Sequence, residues 1–293
     1  MPSCGGGEDA AIRRTMSPAE STLALRHAVA LGVLQGPAEL LPISSSGHVA
    51  LLPWLAGWSY SKVDAELRKS VEVALHTGAG LALALEMRDE LRELPRIGRR
   101  RAAVLVLSLA PPTLAGFALR ERIERLLGGP RSIALSLAAG AFAMGLADIL
   151  AERSGDADRD ARDARATDGL ALGLAQASAL IPGVSRNGAT LTAARARGFE
   201  REAAHELSWT VALPVILGAS VLKGARMLAH GTQRGARMGL ALGGASAFAS
   251  TLVSVRALRG RGLERGSLLP YALYRCLLAS LVIVRLRRER ERG

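Results

Sequence analysis

Apolar residues occur in long blocks separated by short charged stretches. A helix that crosses the hydrocarbon of a membrane needs about 20 residues, with about 17 as the lower end of the range. Five blocks reach this length without strain, at 102–119, 132–151, 207–228, 238–258 and 268–286. The block at 70–87 is just long enough, and the block at 23–43 can span if its helix continues to Pro42. The pattern predicts an all-α polytopic membrane protein with about six transmembrane helices.

Two further stretches, 43–58 and 169–197, are interrupted by Pro, Gly, Ser and Arg and do not read as simple spans. Irregular backbone is tolerated at membrane depth only where protein covers it or where it lines a hydrated cavity. We therefore expect two re-entrant helical hairpins, one near 40–57 and one near 173–197.

The two hairpins resemble each other in sequence. GVLQGPAELLPISSSGH, at 32–48, and GLAQASALIPGVSRNGAT, at 173–190, both contain Gly-x-x-Gln, then Pro, then Ser three residues after the Pro. Interrupted helices at matching positions of two halves are typical of inverted-repeat membrane proteins with a central site. We predict an inverted repeat of a first half, 21–151, and a second half, 169–286.

The polar segments outside the blocks divide the chain further. Residues 152–168 alternate acidic and basic side chains without an apolar face, which predicts a solvated connector. The leader at 1–20 lacks the apolar core of a signal peptide, so we expect it to be disordered, with Met16 as a candidate true start. A basic tail occupies 287–293.

The net charge of +12 raises the question of nucleic acid, but the basic residues cluster between the apolar blocks. The clusters at 96–101 and 285–288 suit juxtamembrane anchors better than a DNA-binding face, so nucleic acid is not expected as a partner. The chain has two cysteines among its 293 residues, which argues against a disulfide framework.

The first hairpin carries polar groups that are costly to remove from water. Gln35 and Glu39 lie four residues apart and share one helix face. Pro42 ends that helix, and a serine run follows where a second helix begins. Helix starts offer free N–H groups and a positive dipole end, which suit phosphate. The candidates after Pro42 are Ser44, Ser45, Ser46 and His48.

The second hairpin adds a cation, Arg186, with Ser185, Asn187 and Thr190 beside it. An arginine within the membrane costs at least about 2.5 kcal/mol and normally needs an anionic partner. A carboxylate, a histidine, hydroxyls and a guanidinium together suit phosphoryl transfer. The competing interpretation is purely structural: the hydroxyls satisfy backbone groups, His48 bonds a carbonyl, and Arg186 pairs with Glu39.

QGPAELLPISSSGH and PGVSRNGAT resemble the two signature motifs of the undecaprenyl-diphosphatase, or bacitracin-resistance, family. VEVALHTG, AAHELSWTVALP and LPYALYR resemble family segments in the same order, so the likeness covers about Leu23 to Arg285. It implies an inner-membrane phosphatase that converts undecaprenyl diphosphate to undecaprenyl phosphate for peptidoglycan synthesis. It also implies an active site that opens to the outer face and a divalent cation, Mg²⁺ or Ca²⁺. A homodimer is a candidate assembly.

By this resemblance the catalytic residues are Glu39, Ser45, His48 and Arg186. Ser45 is the expected nucleophile, His48 and Glu39 are expected to handle protons or metal, and Arg186 is expected to hold the diphosphate. The substrate-binding candidates are Gln35, Ser44, Ser46, Ser185, Asn187 and Thr190. The chain departs from the family pattern at two positions. Gln35 stands where the family often has Glu, which removes one anionic metal ligand. Asn187 stands where Ser is common and keeps a donor and an acceptor.

Other polar residues receive structural interpretations, and two alternative functions remain. We expect structural roles for three histidines (His27, His76, His205), interfacial or supporting roles for three acidic residues (Glu72, Asp148, Glu206), packing for Tyr271 and Tyr274, and snorkelling for Arg275. A phosphatase of the phosphatidate type is disfavoured because the chain has no Arg-Pro dipeptide. A flippase for the lipid carrier would share the inverted-repeat architecture.

Overall fold

The structure is a computed structural model that describes residues 23–93, 96–155, 157–230, 234–259 and 265–292. The predicted leader lies outside these residues. In the described part of the chain we number eleven α-helices. They are α1 (Leu25–Leu40), α2 (Ser45–Leu55), α3 (Ala65–Glu86), α4 (Arg88–Glu93), α5 (Arg99–Leu127), α6 (Pro130–Ser154), α7 (Ala166–Ser178), α8 (Arg186–Ala196), α9 (Arg201–His230), α10 (Arg237–Arg259) and α11 (Leu269–Arg292).

Five helices of the described residues, namely α5, α6, α9, α10 and α11, have apolar stretches long enough to cross a membrane. They match the five blocks that the sequence predicts as unstrained spans, and they confirm an all-α polytopic membrane protein. Helix α3 has 22 residues, enough for a sixth span by length, but it is less apolar than the five. The basic tail forms the last turns of α11.

The block at 23–43 does not span as one helix. Helix α1 ends at Leu40, Pro42 lies in the turn that follows, and α2 begins at Ser45. The first hairpin therefore extends over 25–55 and is longer than the predicted 40–57. The second hairpin consists of α7 and α8 and agrees with the predicted position near 173–197.

The two hairpins enter the helix bundle from opposite ends. We call the end where α6 finishes and α7 begins the connector side. Helix α7 starts at this end and α8 finishes there, since Arg195 near the end of α8 donates to Asp148 near the end of α6. Helix α2 finishes at the other end, where the backbone oxygen of Leu55 accepts from Arg285 of α11. This arrangement fits the inverted repeat, whose symmetry stays a prediction from the sequence.

The Asp148 carboxylate holds several helix ends together on the connector side. Its carboxylate accepts hydrogen bonds from Arg195 Nε, Arg201 Nε, Ser267 Oγ and the Leu268 N–H, each at 3.0 Å. The side chain is 1% exposed, so the expectation that it reaches the interface is wrong. A buried carboxylate with two guanidinium partners ties α6, α8, α9 and the start of α11 together.

Most residues of the 152–168 connector are exposed, and the segment is anchored to the protein at a few positions. Ala161, Ala164 and Asp168 are buried. Burial alone would raise the pKa of Asp168, but hydrogen bonds from Arg159, from the Arg165 N–H and from Arg197 outweigh it and lower the pKa to about 2. Arg159 is the connector arginine whose side chain turns inward to this buried carboxylate, while Arg162 stays exposed.

Small residues let the helices of the first half approach α10 closely. A Cβ atom on Gly32 would lie 2.5 Å from the Gly243 oxygen, and one on Gly78 would lie 2.1 Å from the Gly244 oxygen. Lipid tails are as apolar as side chains, so membrane helices associate through such close packing and through polar contacts. Helices α1 and α3 therefore pack closely against adjacent faces of α10.

We predict that Gly78→Ala lowers the thermal stability of the detergent-solubilised protein, because the new methyl group would contact backbone and force α3 away from α10. The Tm should fall by more than about 2–4 °C, the shift that 1 kcal/mol causes in a chain of this size. Gly218→Ala is the matched control, since no atom lies within 4 Å of a Cβ at that position. Equal Tm values for the two variants would contradict the prediction.

Candidate active site at the hairpin tips

The first hairpin brings Gln35 and Glu39 to one buried face of α1. Gln35 Nε2 donates to Glu39 Oε2 at 3.1 Å, as the four-residue spacing predicts. The Leu41 N–H closes the helix on the Pro37 oxygen, and the residue before Pro42 is extended. Glu39 thus lies in the last turn of a helix that stops within the protein.

The serine run starts α2 in a strained turn. Ser44 has φ 77°, the one positive φ of a non-glycine residue in the described ranges, and its Oγ accepts from the Gly47 N–H at 3.3 Å. Such a backbone costs about 1–3 kcal/mol and is typical of functional sites. The turn aims Ser45 back at α1, where its Oγ donates to Glu39 Oε2 at 2.7 Å. Ser46 is exposed, and its Oγ lies 3.4 Å from Ser44 Oγ.

The second hairpin meets the first through two contacts. Arg186 Nη2 donates to Glu39 Oε1 at 2.6 Å, and Asn187 Nδ2 donates to the Leu40 oxygen at 2.5 Å. The residues are separated by 147 positions along the chain. Glu39 is therefore shared between a hydroxyl, an amide and a guanidinium, and the two signature motifs form one site.

The other polar residues of the second hairpin position Arg186. Ser185 Oγ caps the Gly188 N–H at 3.1 Å, just as Ser44 caps Gly47 in the first hairpin. Thr190 Oγ1 and Ser208 Oγ lie 2.5 Å apart, and Ser208 donates to Asn187 Oδ1 at 2.8 Å. All of these groups are bonded within the protein. The substrate contacts expected for Ser185, Asn187 and Thr190 stay predictions.

His48 does not contact Ser45. Its Nδ1–H donates to the Ser44 oxygen at 2.8 Å, and its Nε2 lies 2.7 Å from Tyr274 Oη. A carbonyl oxygen only accepts, so the neutral ring carries its proton on Nδ1 and accepts from Tyr274 at Nε2. The rings are also stacked, with centroids 5.5 Å apart. His48 thus supports the strained turn, while Glu39 is the base within reach of Ser45.

Sequence reasoning missed three residues near the site. Tyr274 was expected to pack or lie at the interface, but it bonds His48. His76 was interpreted as structural, but its Nε2 lies 3.9 Å from Glu39 Oε2. Arg275 does not snorkel: it is 1% exposed, and it donates towards the carbonyl oxygens of Pro42 and Gly183. The available signals were VEVALHTG, which contains His76, and LPYALYR, which contains Tyr274 and Arg275, since both segments resemble the family.

Glu206 does not lie at the site, since its carboxylate pairs with Arg101 at 3.5 Å and is 57% exposed. Glu72 contributes its backbone oxygen, which accepts from His76 Nδ1 at 2.8 Å. The matching positions of these two glutamates in the repeat therefore lead to different surroundings.

The described residues contain no group of three or more His, Cys, Asp or Glu side chains that could hold a metal ion alone. Gln35 Oε1, however, is buried and has no hydrogen-bond partner. With Glu39 it forms a pair of oxygen ligands on one helix face. Oxygen ligands of this kind fit a hard cation that takes its remaining ligands from phosphate and water.

Chemically, the site combines a hydroxyl bonded to a carboxylate with a guanidinium and two helix starts. Ser45 and Arg186 are the first residues of α2 and α8. Free N–H groups and the positive dipole ends of both helices favour an anion between them. The class of protein is therefore an integral membrane protein in which two hairpin tips bring a serine hydroxyl, a carboxylate and a guanidinium together.

The chain belongs to the bacitracin resistance protein BacA family, whose profile matches residues 28–281. It is 35% identical to an undecaprenyl-diphosphatase of Geobacter metallireducens over 272 residues, 88% of this chain and 97% of the relative. It is 36% identical to those of Geobacter sulfurreducens, covering 88% and 97%, and of Ruegeria pomeroyi, covering 89% and 98%.

We predict that Tyr274→Phe slows phosphate release from undecaprenyl diphosphate about tenfold, because losing one hydrogen bond to a buried partner costs on the order of 1.4 kcal/mol. The phenyl ring keeps the stacking on His48, so the change isolates the hydroxyl. Tyr271→Phe, one turn earlier on α11, is the control and should retain the wild-type rate. A Tyr274→Phe variant as fast as Tyr271→Phe would show that the bond has no role in the reaction.

Proposed function

We propose that this protein is an integral membrane phosphatase that hydrolyses undecaprenyl diphosphate to undecaprenyl phosphate and inorganic phosphate. The contact that carries the proposal is the bond from Ser45 to Glu39 beside the Glu39–Arg186 pair. Recycling of the carrier would supply peptidoglycan synthesis and confer bacitracin resistance. We place the protein in the bacterial inner membrane with its active site towards the outer face.

In the proposed reaction the diphosphate binds between the starts of α2 and α8, and Arg186 contacts its terminal phosphate. Ser45 Oγ attacks the terminal phosphorus while its proton passes to Glu39 Oε2. The bond between that phosphorus and the bridging oxygen breaks, and undecaprenyl phosphate leaves with the electron pair. The proton on Glu39 passes to the departing undecaprenyl phosphate, which restores the carboxylate. Water then attacks the phosphoserine, and Glu39 accepts a proton from this water and returns it to Ser45 Oγ as the bond between phosphorus and Oγ breaks. Inorganic phosphate is released.

Most of the rate enhancement in phosphoryl transfer comes from positioning and charge stabilisation. Arg186 supplies a planar fork that matches phosphate oxygens, and it is 18% exposed in its side chain, so a ligand can reach it. Glu39 is held on both oxygens, which fixes the direction in which it accepts the proton. His48 and Tyr274 hold the turn that carries Ser45.

A divalent cation, Mg²⁺ or Ca²⁺, is part of the proposal. Glu39 and the unpartnered Gln35 Oε1 would hold it together with diphosphate oxygens. Such an ion would neutralise charge on the phosphates and so favour departure of the lipid phosphate.

We predict that Ser45→Ala abolishes phosphate release by the purified protein in detergent, because no other described hydroxyl is bonded to Glu39. Glu39→Gln and Arg186→Gln should each lower kcat by at least about 100-fold, since each removes a charge used in the transition state. The control is Ser70→Ala, whose hydroxyl bonds only the Glu66 oxygen on the exposed side of α3. Detergent removes the bilayer, so release under these conditions also separates hydrolysis from lipid transport. Full activity in Ser45→Ala would refute the assigned nucleophile.

The second prediction concerns the cation. A chelator should stop phosphate release, and added Mg²⁺ or Ca²⁺ should restore it. Gln35→Glu supplies the carboxylate that this chain lacks and should lower the cation concentration needed for half-maximal activity several-fold, because ligand charge sets the affinity for hard cations. The measurement is a cation titration of the chelated enzyme. An unchanged titration midpoint would place the ion away from Gln35.

A further inference from the structure

Arg275 is a buried cation that the proposed reaction does not use. It projects from α11 between the two hairpins and is 1% exposed. No carboxylate in the described ranges forms an ion pair with it, and its Nε has no hydrogen-bond partner. An unpaired guanidinium at membrane depth is expensive and normally marks a functional requirement.

The guanidinium lies between the turns of both hairpins. Its Nη1 donates to the Pro42 oxygen at 3.5 Å, in the turn before Ser45, and its Nη2 donates to the Gly183 oxygen at 3.3 Å, in the turn before Arg186. One rigid planar group therefore contacts the backbone on both sides of the site.

Two glycines make room for this group. A Cβ on Gly140 of α6 would lie 2.4 Å from Arg275 Nη2, and one on Gly188 of α8 would lie 2.8 Å from Nη1. The guanidinium is thus confined from two sides, and its position is set by packing as well as by its hydrogen bonds.

We propose that Arg275 is a positioning residue that sets the separation and register of the two hairpin turns, and with them Ser45 against Arg186. The inference rests on the proposed function, because its consequence is measured on phosphoryl transfer. Arg275 acts through backbone carbonyls and is buried from the substrate. Its loss should therefore lower kcat and leave KM nearly unchanged.

The test uses Arg275→Lys, which keeps the charge but cannot reach both carbonyls, and Gly140→Ala, which keeps the arginine but displaces its guanidinium. For each purified variant, initial rates of phosphate release are measured over a range of undecaprenyl diphosphate concentrations. We expect kcat to fall about 10–100-fold in both variants, because this is the cost of misplacing reacting groups by up to about 1 Å. KM should stay within about threefold of the wild-type value. In the double variant the losses should not multiply, because both changes disturb one contact.

Matched controls separate this effect from a general loss of structure. Gly116→Ala introduces the same methyl group where nothing lies within 4 Å, and Arg288→Lys makes the same exchange at an exposed position near the far end of α11. Both should retain the wild-type kcat. Thermal unfolding and gel filtration report whether each variant is folded. If Arg275→Lys does not fold, Gly140→Ala alone tests the positioning role.

The outcomes distinguish the inference from the function on which it rests. A wild-type protein that releases no phosphate contradicts the proposed function. If the wild type is active and the Arg275→Lys and Gly140→Ala variants have the same kcat as the wild type, the positioning role is overturned. A raised KM with unchanged kcat also overturns it, since Arg275 would then bind substrate directly.

Discussion

The contact between Glu39 and Arg186 is the interaction on which the site depends. It joins two hairpins that enter the bundle from opposite ends, and neither hairpin could keep its charge within the membrane without the other. Removing one partner of a buried pair leaves an uncompensated charge, which costs about 3–5 kcal/mol. The pair therefore holds the two hairpin tips in contact, and it places the Glu39 carboxylate beside both the Ser45 hydroxyl and the Arg186 guanidinium.

The rest of the fold holds the tips at this distance. Apolar burial does not drive helices together in lipid, so the bundle uses glycine contacts and polar clusters instead. Gly32 and Gly78 bring α1 and α3 onto α10, and Asp148 gathers the helix ends on the connector side. The first hairpin is thus supported by close backbone contact, and the second by buried ion pairs at its open end.

Local chemistry explains what could be predicted from the sequence. The apolar blocks and the prolines act over a few residues, and they correctly predict the five long spans and the helix breaks after Leu40 and Ser178. Tyr274, Arg275 and His76 reach the site through helix packing over long chain separations, which no local pattern encodes. Within 152–168 the charge alternation likewise does not single out Asp168, the buried carboxylate to which Arg159 and Arg197 donate.

The structure shows the contacts of the structural interpretation, and they are compatible with phosphoryl transfer, which stays a proposal for these residues. His48 does bond a carbonyl and Arg186 does pair with Glu39, as the structural interpretation expects. An anion entering between the two helix starts would compete with Glu39 for Arg186. In the proposed reaction the diphosphate would share the guanidinium, and the carboxylate that it partly releases would become a better base for Ser45. The resting ion pair would then couple recognition of a highly charged head group to activation of the proposed nucleophile.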